Sequence, residues 1–487
     1  MGSRLIAITP FVLLARLTPV LAAVLGQRDD VPSVSVSLDG VAYVNKGLVG
    51  FGLIPSNFTE STGDTLGGLG SAIAIKRGTW RKKNGKYSGT LVAHPDRGFN
   101  IDGTVNYQSR QFEIDFVLNP YDGSANLDFV SAQQTLETSG LDPTGVRPAQ
   151  LGSQLIPFSD PEMPIVSKAD NRLVLDVEGV VANHDGTYWI SDEYGAYVYR
   201  FTADGNLIQT IQPPPAFLPR DANGDLNFTS VNPPTTGRNA NQGFEGLTMD
   251  HDRQVLYVML QSATIQDGGS SKSTSRFTRL LAYNVANPAV KPRLVGEWVV
   301  PLPLSDKNNT RACSEIHFVS KNIFLALSRD GDGRGGDDNN SKYKQADLFS
   351  ISKATDIHGT KFDSPANPIA VNGVLDSTIT PAQYLSFVNY VDPVQLARFG
   401  LHNGKPNDLT LLDAKWESLA LAPVGDPAFP NDYFLFTAAD NDFLSTQGVS
   451  LGVPFNAGLD VDNQFLVFRL TLPSVVRGSV ERELGIF

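Results

Sequence analysis

Four glutamates stand at the head of short apolar segments and are candidates for one shared metal site. The same arrangement recurs each time: a glutamate, a first apolar segment, a turn, and a second segment that ends in acidic or polar residues. These residues are Glu178, Glu245, Glu315 and Glu417. In an antiparallel strand pair, the start of the first strand lies beside the end of the second. Both acidic positions of each repeat are therefore expected to reach one face of the fold.

Several carboxylates gathered at one mouth would repel one another unless protons or a cation compensate their charge. A hard divalent cation suits oxygen ligands, and Ca²⁺ fits better than Zn²⁺ because the chain has only six histidines and one cysteine. The predicted metal ligands are Glu178, Glu245, Glu315, Glu417, Asp192 and Asp330. The alternative is that each glutamate only ties a loop, by accepting hydrogen bonds from backbone amides.

Neighbouring residues suggest what such a site could bind. Residues two apart in a strand face the same side, so His317 is expected beside Glu315 and Lys415 beside Glu417. A channel that combines these side chains with a cation could bind a small anionic ester and hydrolyse it. The predicted catalytic residues are His317 as general acid or base, Lys415, and Glu193 at the end of a second segment.

The segments that carry these residues predict an all-β fold. Short alternating runs bounded by Gly, Asn and Asp recur along the chain, and few stretches have helical period. The repeats suit the four-stranded blades of a single β-propeller with long loop insertions. Five repeats are visible, the first of which lacks the glutamate, and six blades are expected. The strands of 34–53 and 465–472 are candidates for closing the ring, and two stacked β-sandwiches are the alternative.

Charge and cysteine content exclude several classes of protein. The chain has 487 residues, with 39 basic against 51 acidic side chains and a formal net charge of -12. Such a surface repels phosphate backbones, so nucleic acid is not an expected partner. A lone cysteine, Cys313, cannot form an internal disulfide.

The N-terminus predicts secretion. Arg4 and the apolar run 5–14 read as a signal peptide over residues 1–22, with cleavage after Ala22 or Ala23. We therefore expect one mature domain over 23–487 and an extracellular glycoprotein without a membrane span. Its four N-glycosylation sequons lie at Asn57, Asn227, Asn308 and Asn339.

Two further motifs in the sequence resemble known functional sites. The acidic glycine-rich segments 330–340 and 221–225 are candidate calcium loops, although neither has the full EF-hand spacing. Residues 448–452 match G-x-S-x-G, but the enzymes with that motif need a histidine after the serine, and the last histidine here is His402. Ser450 is therefore predicted to be a loop residue.

The repeat resembles the phytase-like (esterase-like phytase) family of secreted propellers over roughly residues 65–472. The resemblance rests on the segments 176–180, 189–195, 241–247 and 416–421, together with the segment around Glu315. It implies a metal-dependent phosphoester hydrolase, with lactones or carboxyl esters as a second substrate class. The alternative is a non-catalytic propeller that binds a ligand or partner on its acidic face.

Overall fold

Within the residues that the structure describes, short strands separated by turns form five antiparallel sheets of four or five strands each, here called blades 1 to 5. The computed structural model describes residues 33–97, 109–121, 126–137, 161–165, 173–229 and 231–486. The predicted signal peptide, residues 1–22, lies outside these ranges. Strands are given below from the innermost to the outermost strand of each blade.

Blade 1 contains Ala72–Ile75, Lys86–His94, Arg110–Asn119 and Asn126–Glu137, with Arg81–Lys83 also paired to Lys86–His94. Blade 2 contains Val177–Ala182, Tyr188–Asp192, Val198–Phe201 and Leu207–Ile211. Blade 3 contains Phe244–Asp250, Val255–Leu260, Phe277–Asn284 and Arg293–Pro301. Blade 4 contains Cys313–Ser320, Ile323–Arg329, Lys344–Ser350 and Gln383–Asn389. Blade 5 contains Lys415–Pro423, Asp432–Asp440, Asn463–Thr471, Val41–Ile54 and Val34–Leu38.

The innermost strands close a ring. Each contacts the innermost strands of the two neighbouring blades, and the innermost strand of blade 5 contacts that of blade 1. The predicted all-β propeller is therefore confirmed, and the alternative of two sandwiches does not describe this arrangement. The described residues form five blades where six were expected. The reason is that Val34–Leu38, Val41–Ile54 and Asn463–Thr471 extend the sheet of Lys415–Pro423 instead of forming a separate blade.

Apolar side chains fill the space between neighbouring blades. Between blades 1 and 5, Trp80 and Tyr87 stack at 5.4 Å between ring centroids, and Phe434 meets Tyr87 edge-on at 4.8 Å. Asp432–Asp440 is buried along its whole length, as expected for a strand covered on both faces. This packing fixes the inner strands, and with them the residues at their heads.

The remaining elements are short. In the described part of the chain, α-helices span Pro393–Ala397 and Ser479–Glu483, and 3₁₀ turns span Pro215–Phe217, Ile265–Asp267 and Lys361–Asp363. Two small hairpins pair Ala370–Val371 with Val374–Leu375 and Gly448–Ser450 with Val453–Phe455. Ser450 is exposed at the end of its hairpin strand. A search of the described ranges found no helix with the length and hydropathy needed to cross a membrane.

Candidate functional site

β-Bulges at the heads of three inner strands bring three of the predicted glutamates to equivalent positions. In blade 2, Val177 pairs with Asp192 and Gly179 with Ser191, so Glu178 is the extra residue of the bulge. The same shift makes Glu245 the bulge residue of blade 3 and Glu417 that of blade 5. Bulges re-aim a side chain away from the regular ladder. All three glutamates are buried, which makes their charges costly unless they are compensated.

Glu315 does not share this position. In blade 4, Cys313 pairs with Ser328 and Glu315 with Leu327, which leaves Ser314 as the bulge residue. A slip of one residue turns a strand side chain to the opposite face. Glu315 Oε1 instead accepts hydrogen bonds from the backbone amides of Leu247 at 2.8 Å and Ile316 at 2.7 Å. The four glutamates were predicted to be equivalent, and Glu315 is not equivalent to the other three. Its hydrogen bonds instead connect blades 3 and 4.

Blade 1 has no glutamate at the head of its inner strand, Ala72–Ile75, and just before this strand its chain passes close to blade 5. A Cβ atom on Gly70 would lie 2.0 Å from the backbone nitrogen of Asp440, so any side chain there would clash. Blade 1 instead contributes Asp96, which follows its second strand, Lys86–His94. Asp96 is buried, and its pKa is raised well above the ordinary value by burial and then by the Asp440 carboxylate.

These residues form a carboxylate cluster on one face of the ring. Its members are Asp96, Asp176, Glu178, Glu193, Glu245, Glu417, Asp440 and Asp442. Carboxylate oxygens of Asp96, Asp176 and Glu178 lie within 4.8 Å of one another, and so do those of Asp96, Asp440 and Asp442. Both sets include Asp96 and together they join blades 1, 2 and 5. Three cationic side chains contact the cluster, namely Arg97, Arg329 and Lys415.

Lys415 is held in its charged form. Its Nζ contacts Asp440, lies 2.8 Å from Asp442 Oδ1, and is 3.7 Å from Glu417 Oε1. Burial acts to lower the pKa of Lys415, but these carboxylates raise it well above the ordinary value. Lys415 therefore supplies a fixed positive charge, and it is not a base near neutral pH.

Burial and mutual repulsion raise the pKa of three glutamates in the cluster. Burial and then Glu245 raise the pKa of Glu178 well above its ordinary value, while burial and then Glu417 raise that of Glu245 to about 8. The pKa of Glu193 is raised by burial and then by Asp176. Glu193 Oε1 is buried and has no hydrogen-bond partner among the described residues. The cluster thus needs protons or a cation to be stable near pH 7.

The oxygens of the cluster fit a calcium ion. Ca²⁺ binds six to eight oxygen ligands at about 2.3–2.6 Å, so oxygens on opposite sides of the ion are separated by about 5 Å. The 4.8 Å limit for Asp96, Asp176 and Glu178 is compatible with that spacing. Asp176 also pairs with Arg97, whose Nε lies 2.6 Å from its Oδ2, so this carboxylate is already positioned. Glu178, whose pKa burial and neighbouring carboxylates raise, would be stabilised most by a cation.

Asp192 and Asp330 make hydrogen bonds that shape loops. Asp192 Oδ1 accepts from the Asp176 amide at 2.9 Å, and Oδ2 accepts from the Gly195 amide at 2.7 Å. Asp330 Oδ2 accepts from the Lys342 amide at 2.7 Å and Oδ1 from the Ser341 hydroxyl at 2.7 Å. Burial raises the pKa of Asp192 to about 7. At Asp330 the effect of burial is outweighed by Lys344 and Arg311 together with the hydrogen bonds from Ser341 and Lys342, and the pKa is lowered. Metal ligation by either residue stays a prediction, and Asp330 lies apart from the cluster.

His317 lies inside its strand, Cys313–Ser320, and not at the strand head, where the bulge residues of the ring lie. It lines a cavity of about 50 Å³ between the inner strands, together with His251 and with Glu483 of the C-terminal helix. Burial lowers the pKa of His317 to about 4, so it is neutral near pH 7. The structure therefore brings Lys415 and Glu193 into the cluster but not His317, whose catalytic role stays a prediction.

Sequence reasoning assigned no role to Asp96, Asp442, Arg97 or Arg329 in the site. Asp96 and Asp442 follow the second strands of blades 1 and 5, so an acidic residue just beyond a second strand was the available signal. Arg329 is the last residue of the second strand of blade 4, and Arg97 follows shortly after the second strand of blade 1.

Comparison with known proteins agrees with the resemblance found in the sequence. The model of the Phytase-like family, described as "Esterase-like activity of phytase", matches residues 65–390. An uncharacterized secreted protein of Arthroderma benhamiae is 39% identical over 459 residues, covering 84% of this chain and 89% of the relative.

Similarity to solved structures is far weaker. A luciferin-regenerating enzyme is 10% identical with a TM-score of 0.27, covering 83% of this chain and 92% of the other. The catalytic domain of a GH62 α-L-arabinofuranosidase of Coprinopsis cinerea is 10% identical with a TM-score of 0.31, covering 87% and 97%. Neither similarity bears on function. By the family match and the close relative, the chain belongs to the Phytase-like family.

Proposed function

We propose that this protein is a secreted, calcium-dependent hydrolase of phosphoesters whose active site is the carboxylate cluster. The observation that carries the proposal is the convergence of Asp96, Asp176 and Glu178, with oxygens within 4.8 Å of one another, on one face of the propeller. Membership of the Phytase-like family supports hydrolysis, and the secreted relative supports an extracellular location. A mature N-terminus at residue 23 or 24 would be the expected sign of secretion through the predicted signal peptide.

Asp96, Asp176 and Glu178 would hold the ion. When bound, the ion would offset the charge of the cluster and polarise an ester oxygen. Lys415 and Arg97 keep their positive charges beside the same carboxylates and would attract an anionic substrate.

Glu193 is the residue best placed to move a proton. Burial and then Asp176 raise the pKa of Glu193 well above its ordinary value, which favours the protonated form, and its Oε1 is not used by any hydrogen bond within the described part of the chain. A protonated carboxyl group in a buried site can donate to the oxygen of a leaving group. We assign Glu193 the role of general acid; a base for the attacking water is not assigned.

The proposal is tested with a panel of phosphomonoesters, phosphodiesters, carboxyl esters and lactones, with and without chelator. We expect phosphoester hydrolysis that chelator abolishes and added Ca²⁺ restores. Glu193→Gln should slow turnover by about 100-fold to 10,000-fold, as expected for a lost general acid. Saturable ligand binding to this face without hydrolysis of any ester would instead support a non-catalytic propeller.

A further inference from the structure

One of the four bulge positions around the ring carries a hydroxyl where the other three carry carboxylates. Ser314 occupies this position in blade 4 and is 4% exposed. Because blade 4 lies between blades 3 and 5, Ser314 stands between Glu245 and Glu417 in the ring. The serine side chain has three fewer heavy atoms than that of glutamate and carries no charge. The ring therefore has a gap in its negative charge on the side of blade 4.

The same side of the ring carries a hydrogen-bond donor that is not fully used. Arg329 ends the second strand of blade 4, and its amide donates to the Ala312 carbonyl at the head of the first strand at 3.4 Å. Its Nη2 contacts Glu417, whereas its buried Nε has no hydrogen-bond partner in the ranges that the structure describes. Blade 4 thus offers a hydroxyl and a guanidinium where blades 1, 2 and 5 offer carboxylates.

We propose that Ser314 is a specificity-determining residue that opens the cluster to an anionic group of the ligand on the side of blade 4. The inference rests on the proposed function. The carboxylates of blades 1 and 2 hold the cation, and the Ser314 hydroxyl and Arg329 bind oxygens of the anion. A glutamate at this position would repel the anion and add a further oxygen ligand for the cation.

The test measures binding of Ca²⁺ and of inorganic phosphate by isothermal titration, with phosphate added in the presence of saturating Ca²⁺. Ser314→Glu should weaken phosphate binding at least about 10-fold and tighten calcium binding. Ser314→Ala, which only removes the hydroxyl, should weaken phosphate binding by about 3-fold to 10-fold and leave calcium binding unchanged. Ser273→Glu adds the same charge at an exposed loop position and should change neither affinity.

The outcomes separate this inference from the proposed function. If the wild-type protein hydrolyses phosphoesters with Ca²⁺ but both Ser314 variants bind phosphate as the wild type does, the role of Ser314 is overturned and the proposed function stands. If Ser314→Glu does not fold, phosphate binding by Ser314→Ala decides. A wild-type protein that binds neither Ca²⁺ nor phosphate would overturn both.

Discussion

Replacing Glu178 by Gln is expected to change the stability of the protein in opposite directions with and without calcium. Carboxylate oxygens of Asp96 and Asp176 lie within 4.8 Å of Glu178. At that separation and an effective dielectric constant of about 20, two full negative charges repel by about 3.5 kcal/mol. Protonation of the cluster and the Arg97 guanidinium beside Asp176 reduce this repulsion. In chelator at pH 8, we therefore expect Glu178→Gln to raise the free energy of unfolding by about 1 kcal/mol.

Calcium reverses the sign because the variant loses a charged ligand. At free calcium about 100 times the wild-type dissociation constant, binding stabilises the wild type by about 2.7 kcal/mol. If the variant binds calcium about 100-fold more weakly, the same concentration stabilises it by only about 0.4 kcal/mol. With calcium present, Glu178→Gln should therefore be less stable than the wild type by about 1 kcal/mol, after the relief of repulsion is included.

Urea unfolding followed by tryptophan fluorescence, in chelator and in calcium, measures both differences. Glu315→Gln is the matched control, because the Glu315 carboxylate accepts hydrogen bonds from the Leu247 and Ile316 amides. It should destabilise the protein by no more than about 1 kcal/mol, and equally in both conditions, because the Gln side chain keeps an acceptor oxygen for both amides. A change of the same sign in both conditions for Glu178→Gln would refute the assignment of this carboxylate as a calcium ligand.

Three other outcomes are expected. Exhaustive chelation should lower the melting temperature of the wild type, because the stabilisation of about 2.7 kcal/mol by bound calcium is lost. An unchanged melting temperature, with no metal found by elemental analysis, would contradict this. Burial lowers the pKa of His317 in the native state to about 4. As pH falls from 6.5 towards 4, His317 therefore becomes protonated in the unfolded chain but not in the native state, and the free energy of unfolding falls over this range. His317→Asn should flatten that part of the stability profile, whereas turnover slowed by about 100-fold or more would favour the predicted general acid or base role. Gly70→Ala should lower the free energy of unfolding by about 2 kcal/mol or more, because its Cβ would lie 2.0 Å from the Asp440 nitrogen. Gly331→Ala, whose Cβ would have no atom within 4 Å, should lower it by less than about 1 kcal/mol. Equal losses in urea unfolding would contradict the close approach at Gly70.

The propeller and most of the acidic face could be predicted from the sequence, because the repeat couples local strand signals to a regular spacing. The residue after the bulge glutamate is small in blades 2 and 3, where Gly179 and Gly246 lie against the next blade. A Cβ on Gly246 would come within 2.9 Å of the Ile316 backbone nitrogen. The pattern of glutamate followed by a small residue therefore reports close packing between inner strands as well as chemistry.

The same pattern contains the signal that Glu315 is different. Glu315 is followed by Ile316, whereas Glu417 is followed by Ser418. Read with the bulge, the residue of blade 4 that matches Glu417 is Ser314. The sequence prediction placed Glu315 at the position that Ser314 occupies, and strand alternation then placed His317 beside it. One error of register therefore explains why neither Glu315 nor His317 lies in the cluster.

The blade count and the rest of the cluster depend on contacts between distant parts of the chain. Asp96 of blade 1 meets Asp176 of blade 2 and Asp440 of blade 5 only when the ring is closed. Blade 5 in turn includes Val41–Ile54, which pairs with Asn463–Thr471 at the opposite end of the sequence. Local pattern alone does not specify how many blades lie between these two strands.

The most direct test of the account is the rate of phosphate release from a phosphomonoester as a function of free calcium, for the wild type and Glu178→Gln in parallel. We predict that the wild-type rate rises from a chelator baseline to saturation. The variant should need about 100-fold more calcium to reach half of its maximal rate, if ligand loss weakens binding to that extent. A wild-type rate that does not depend on free calcium, or the same calcium dependence in both proteins, would contradict the claim that the carboxylate cluster is a catalytic calcium site.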